Sequence, residues 1–156
     1  MVALSIEVNG KQHHMEVAEH ALLSDLLRDV LGLKGTHRGC DTAQCGACTV
    51  HLDGQAVKSC NVLAHQAAGH SVLTIEGLSP EMGALHPMQQ AFRERHALQC
   101  GFCTPGMVMS ALDIVRCHSQ PSAECVRAEL DGNLCRCTGY DNIVKAVLQA
   151  AAQIGK

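Results

Sequence analysis

Two groups of four cysteines are where this sequence carries chemistry. The first is Cys40, Cys45 and Cys48 in the run "GCDTAQCGACTV", closed by Cys60 at the end of "HLDGQAVKSC". The second is Cys100 and Cys103 in "QCGFC" with Cys135 and Cys137 in "NLCRCTGY". Four thiols so placed can pair as disulfides, close on a zinc ion, or hold an iron–sulfur cluster. The N-terminal "MVALSIEVNG" has no basic stretch leading into a long apolar run. The expectation is therefore a cytoplasmic chain without signal peptide, transit peptide or transmembrane span. In a reducing compartment, ten cysteines favour metal ligation over disulfides.

The spacing C-x4-C-x2-C followed by a distant fourth cysteine is the plant-type [2Fe–2S] ferredoxin pattern. Cluster sulfurs need backbone N–H donors close by, and Gly39, Gly46 and Ala47 are small enough to let the chain approach. Zinc accepts four thiolates as well, but usually from paired C-x2-C knuckles. For the second group, spacing alone leaves zinc and a cluster equally open. Position adds something: Cys100 and Cys103 precede a helix expected at Pro105, and Cys135 and Cys137 precede one expected at Asp141. Helix N-termini favour an anionic thiolate site. Two buried metal sites without an evident catalytic base suggest an electron relay. Cys117 and Cys125 fall outside both groups and read as small buried apolar residues.

The elements that must position these thiols divide in two. Leu4, Ile6 and Val8 alternate, Asn9-Gly10 signals a type I′ hairpin, and Met15 and Val17 continue on the return strand. In "ALLSDLLRDVLG", Leu22, Leu23, Leu26, Leu27, Val30 and Leu31 form a helical stripe with Gly32 as its stop. Strands over 49–52 and 55–58 flank a second hairpin signal, Asp53-Gly54, and "SVLTIEG" reads as a closing strand. The period then becomes helical. Met88, Ala91, Phe92 and Leu98 share one stripe. A helix starts with Thr104 as N-cap and buries Val108, Ala111, Leu112 and Val115. A short one follows over 122–130, capped by Ser122. The last, from Asp141, carries Ile143, Val144, Val147, Leu148 and Ala151. The reading is α+β: a β domain over 1–77, a linker over 78–87, and a compact bundle of four helices over 88–156.

Other chemistries find little support. Net charge is −3 with no Lys/Arg run, which argues against nucleic acid as partner. There is no GxGxxG and no P-loop, so flavin, NAD and ATP are expected to bind elsewhere. The ten histidines are scattered, and four cysteines per set leave no place for the His pair of a Rieske centre. A free-standing ferredoxin shuttle is the main alternative to a subunit of a complex, and a zinc-stapled interaction module the other. A shuttle is expected to be more acidic, since net charge steers transient partners.

Together "GCDTAQCGACTV", "QCGFCTPGM" and "GNLCRCTGY" resemble the iron–sulfur subunit of the molybdenum hydroxylases, the xanthine dehydrogenase family. In detail "VKSC" and "CRCTGYDNIVKA" look most like the small subunit of aerobic carbon monoxide dehydrogenase. Similar subunits serve hydroxylases of N-heterocycles, purines and aldehydes. The resemblance implies a β-grasp ferredoxin-like domain followed by a four-helix bundle, with a [2Fe–2S] cluster on each cysteine set. It implies a large molybdopterin-binding subunit and a medium FAD-binding subunit, as a heterotrimer that pairs into a dimer. Electrons would run from molybdenum through the helical-domain cluster and then the β-domain cluster to flavin. Substrate chemistry would lie off this chain, with no catalytic residue on it. Gln99 matches the family glutamine that contacts the pterin cofactor.

Overall fold

The computed structural model describes residues 1–79 and 83–154. Strands β1 (Val2–Val8) and β2 (Lys11–Val17) form the first antiparallel hairpin. Asn9 and Gly10, at φ 51° and 77°, make its type I′ turn. Strands β3 (Thr49–Leu52) and β4 (Gln55–Lys58) form the second, turned by Asp53 and Gly54 at φ 48° and 80°. β5 (Ser71–Leu73) joins the two hairpins, parallel to β1 and antiparallel to β3. The sheet is thus mixed and five-stranded, in the order β2-β1-β5-β3-β4.

β5 stops short of the expected strand. The Thr74 N–H donates to Asn9 Oδ1 (2.9 Å) instead of to a ladder partner, and Ile75–Gly77 follows as a 3₁₀ turn. Helix α1 begins at Leu23–Asp25 and widens into π-type turns over Leu26–Val30. Leu23, Leu26 and Leu27 are buried with Ile6, Val50 and Val72 in the first core. The widening takes Val30 off the 3.6-residue stripe, and it is 64% exposed.

The second core is built by α2 (Pro87–Glu94), α3 (Thr104–Cys117), α4 (Ala123–Glu129) and α5 (Asp141–Ile154). Phe92, Val108, Ala111, Val126, Ile143 and Val147 meet in it. Ser122 caps α4, its Oγ accepting the Cys125 N–H at 3.1 Å. Three details differ from expectation. The N-cap of α3 is Cys103, with Thr104 already helical. Leu98 is exposed, because α2 ends at Glu94 and the left-handed His96 turns Ala97 inward instead. Cys117 is exposed at the end of α3, and Cys125 is only half-buried. The linker expected over 78–87 takes in residues 80–82, which lie outside the described residues.

The two cores meet where α3 lies against β3. A Cβ at Gly106 would stand 2.2 Å from Gly46 O and 2.9 Å from Ala47 O, so helix backbone and cysteine-loop backbone touch without a side chain between them. Buried His51 on β3 donates from Nε2 to the Met109 carbonyl of α3 at 2.7 Å.

Candidate iron–sulfur sites

The loop from Gly39 to Cys48 joins α1 to β3 and is shaped by left-handed residues. Asp41, Ala43 and Gly46 have φ of 55°, 58° and 72°. Left-handed residues interspersed in a tight loop can turn backbone N–H groups into a common hollow, a nest suited to anionic sulfur. Here the N–H groups of Cys45 and Thr42 donate to Cys40 Sγ at 3.3 and 3.4 Å. Those donors, the Cys45 N–H foremost, bring the Cys40 thiol down to about 6. Gly39 is exposed, and a Cβ on it would lie 3.1 Å from Cys45 Sγ, crowding the sulfur. Gly46 is buried, and a Cβ there would strike Asn133 Nδ2 and Gly132 O at 2.5 Å. Cys48 and Cys60 are buried side by side at the start of β3 and just beyond β4. Burial, with Cys60 adjacent, pushes the Cys48 thiol up to about 11.

The second set sits at the N-terminal ends of α3 and α5. Cys137 Sγ lies 3.5 Å from Cys100 Sγ, and Cys135 neighbours Cys103. Burial first, then the neighbouring Cys135 and Cys100, raise the Cys103 thiol to about 12. Desolvation therefore outweighs the helix N-terminus at this position, and binding a metal there must release a proton. Burial also pushes Cys135 upward, but hydrogen bonds to Thr138 and the Cys137 N–H hold it below its ordinary value. Thr138 Oγ1 is 3.2 Å from Cys135 Sγ and accepts the Tyr140 N–H at 3.1 Å. The Tyr140 hydroxyl accepts the Cys135 N–H (2.8 Å) and donates to the Asn133 carbonyl (3.0 Å). The loop is thereby fixed from both sides of its first cysteine. Gln99 is exposed in the loop between α2 and α3, beside the exposed Cys100.

Several residues that organise the sites carried no spacing signal. The Leu134 N–H donates to the Cys45 carbonyl at 2.8 Å, tying one cysteine loop to the other. Asn133 Nδ2 donates to Gly46 O and Gly106 O, at 3.3 and 3.4 Å. Lys58 Nζ donates to the carbonyls of Ala43 (2.7 Å) and Gln44 (3.3 Å). His37 stacks on Phe102 with ring centroids 4.8 Å apart, and its Nδ1 donates to the Phe102 carbonyl at 2.7 Å.

The donor sets suit two-iron clusters. The thiols of the second set lie in pairs, Cys100 with Cys137 and Cys103 with Cys135, and Cys48 pairs with Cys60 in the first. A [2Fe–2S] cluster takes four thiolates, two to each iron.

Comparison with known proteins agrees with that chemistry. Residues 6–74 match the family described as "2Fe-2S iron-sulfur cluster binding domain", and residues 74–148 match "[2Fe-2S] binding domain". The fold and its two cysteine sets thus define a protein of two [2Fe–2S]-binding domains. The nicotine 6-hydroxylase small subunit of Paenarthrobacter nicotinovorans is 49% identical over 99% of this chain and 92% of its own. The caffeine dehydrogenase subunit gamma of Pseudomonas sp. (strain CBB1) is 48% identical, over 92% and 87%. A chain of quinoline 2-oxidoreductase from Pseudomonas putida 86 superposes with a TM-score of 0.94 at 44% identity, covering 99% and 95%. The chain belongs to the family of iron–sulfur small subunits of molybdenum hydroxylases. It is an electron-transfer subunit of an oxidoreductase and carries two [2Fe–2S] clusters. Among the described residues, no helix is long and apolar enough to cross a membrane.

Proposed function

We propose that Cys40, Cys45, Cys48 and Cys60 hold one [2Fe–2S] cluster, and that Cys100, Cys103, Cys135 and Cys137 hold the other. When bound, the clusters supply one-electron steps between a molybdopterin centre on a large subunit and FAD on a medium subunit. The chain's own part is to hold the eight thiolates, give them N–H donors and keep the two loops in register. The observation that carries this reading is the direct joint between the loops, where Leu134 donates to Cys45 and Asn133 bridges Gly46 and Gly106. A zinc module would not require its two sites to share backbone hydrogen bonds. The division into a β-grasp unit over 1–77, a connection over 78–87 and a four-helix bundle over 88–156 belongs to the same proposal. So do a cytoplasmic location and a dimer of heterotrimers.

The helical-half set faces the large subunit in this reading. Its support is the exposure of Gln99 and Cys100 next to the exposed Leu98 and Phe102, which form a bare rim around one set of thiols. Gln99 would place its amide against the pterin, donating and accepting together. The names of the relatives favour an N-heterocycle as substrate of the whole complex. The test is metal and acid-labile sulfide analysis of the chain purified with its partner polypeptides. Two clusters require four iron and four sulfide per chain; stoichiometric zinc without sulfide refutes the assignment. Within the assembled complex, Gln99→Ala should keep the iron and slow stopped-flow reduction of the cluster absorbance by substrate. Equal rates would remove Gln99 from the interface.

A further inference from the structure

The geometry points to Thr138 as the residue that sets the reduction potential of the helical-half cluster, by donating its hydroxyl proton to Cys135 Sγ. The inference rests on the proposed ligation by Cys135. As a ligand, Cys135 is a thiolate with no proton of its own, so across the 3.2 Å contact it can only accept. The Thr138 hydroxyl has one proton. The Tyr140 N–H already donates to Oγ1 at 3.1 Å, which leaves that proton free to point at sulfur.

The contact is also held rigidly. Tyr140 stands in left-handed backbone at φ 69°, and its hydroxyl grips the Cys135 N–H on one side and the Asn133 carbonyl on the other. Thr138 and Cys135 are therefore fixed relative to each other by a second set of bonds that does not involve the sulfur. Thr138 is half-buried, so water competes for the hydroxyl less than at an open surface. Reduction adds one negative charge that the cysteine sulfurs share. A hydrogen bond to sulfur is stronger after that electron arrives than before, and it raises the potential. Thr138 acts through its ligand and is a tuning residue, not a catalytic one.

The test is an EPR-monitored redox titration of the purified complex with dithionite, comparing wild type, Thr138→Val and Thr138→Ser. Valine keeps the shape and removes the donor; serine keeps the donor. Thr138→Val should lower the midpoint of one of the two cluster signals so that the reduced fraction ratio falls about tenfold at fixed potential, equivalent to ~59 mV for one electron. The other signal should not move, and Thr138→Ser should stay near wild type. Both signals at wild-type midpoints in Thr138→Val, or an equal shift in Thr138→Ser, would overturn the proposal. If Thr138→Val fails to retain the cluster, Thr138→Ala is titrated in its place and read by the same criteria. Cys135→Ser separates the two levels of argument. Retention of both signals in Cys135→Ser refutes the ligand assignment; loss of one signal there with an unmoved Thr138→Val refutes the role of Thr138 alone.

Discussion

Replacing Gly106 by alanine should destabilise this protein, although in most helix interiors the same change stabilises it. Alanine exceeds glycine by ~1 kcal/mol in helix propensity, and Gly106 has ordinary helical backbone with no left-handed strain to relieve. Against that gain, the new Cβ would stand 2.2 Å from Gly46 O, 2.9 Å from Ala47 O and 3.0 Å from Ala47 C. All three are backbone atoms of the loop between Cys45 and Cys48, so no side chain can swing aside. Overpacking of this kind costs about 1–3 kcal/mol. Moving α3 outward also stretches the Asn133 bonds to Gly46 O and Gly106 O, already 3.3 and 3.4 Å long, at about 1 kcal/mol for the pair. The balance is a loss of roughly 1–3 kcal/mol. For a chain of this length that is an apparent melting temperature lower by about 2–4 °C per kcal/mol. Thermal scans by far-UV circular dichroism, with the visible absorbance followed in parallel, give the shift. A melting temperature at or above wild type would show that helix and loop do not touch at this point, and the account of the joint would fail.

Cys45→Ser should remove one of the two paramagnetic signals and leave the other, whereas Cys117→Ala, at an exposed position outside both sets, should leave iron content unchanged. Loss of both signals in a folded Cys45→Ser chain would contradict the two-site division. Lys58→Met leaves the Ala43 and Gln44 carbonyls without their donor, an effect of ~1–3 kcal/mol on the cysteine loop. Chelators should then bleach the β-half cluster faster, while unchanged bleaching would make Lys58 a bystander. His86 supplies the N-cap of α2, Nδ1 accepting the Met88 N–H at 3.1 Å, and burial holds its pKa below the ordinary 6.5. The unfolded chain therefore takes up this proton first: stability is fully present above about pH 6.5 and falls as pH drops from there through the lower folded value. Asparagine caps without titrating. The difference in melting temperature between His86→Asn and wild type should thus change in favour of asparagine between pH 7.5 and 5.5, and a difference independent of pH would refute it.

Both hairpins could be read from the sequence because Asn9-Gly10 and Asp53-Gly54 dictate left-handed turns locally, whatever surrounds them. The two cysteine sets, proposed above as ligands, stand out for a similar reason, since spacing is a property of short segments. What the sequence concealed was set by partners far along the chain. β5 ends early because Asn9, 65 residues away, takes the Thr74 N–H. Val30 leaves the core because α1 widens, and no periodicity announces a π-type turn. Asn133 looks like an ordinary turn residue beside "LCRC", yet it is buried between Gly46 and Gly106. Thr138 is likewise one threonine among several until Tyr140 is seen to direct its hydroxyl.

The pairing of β1 with β5 fixes an order of biosynthesis. Val8 lies against Val72, so the sheet cannot close until some seventy residues have left the ribosome. At ~5–20 residues per second that takes roughly 4–15 s, and the rest of the chain needs about as long again. During that second interval the β half already has its four cysteines, while α3 and the loop carrying Asn133 are still to come. Asn133, which bonds the two halves, is among the last residues made before α5. The joint between the halves can therefore form only once Leu134 and Asn133 have been made, near the end of translation.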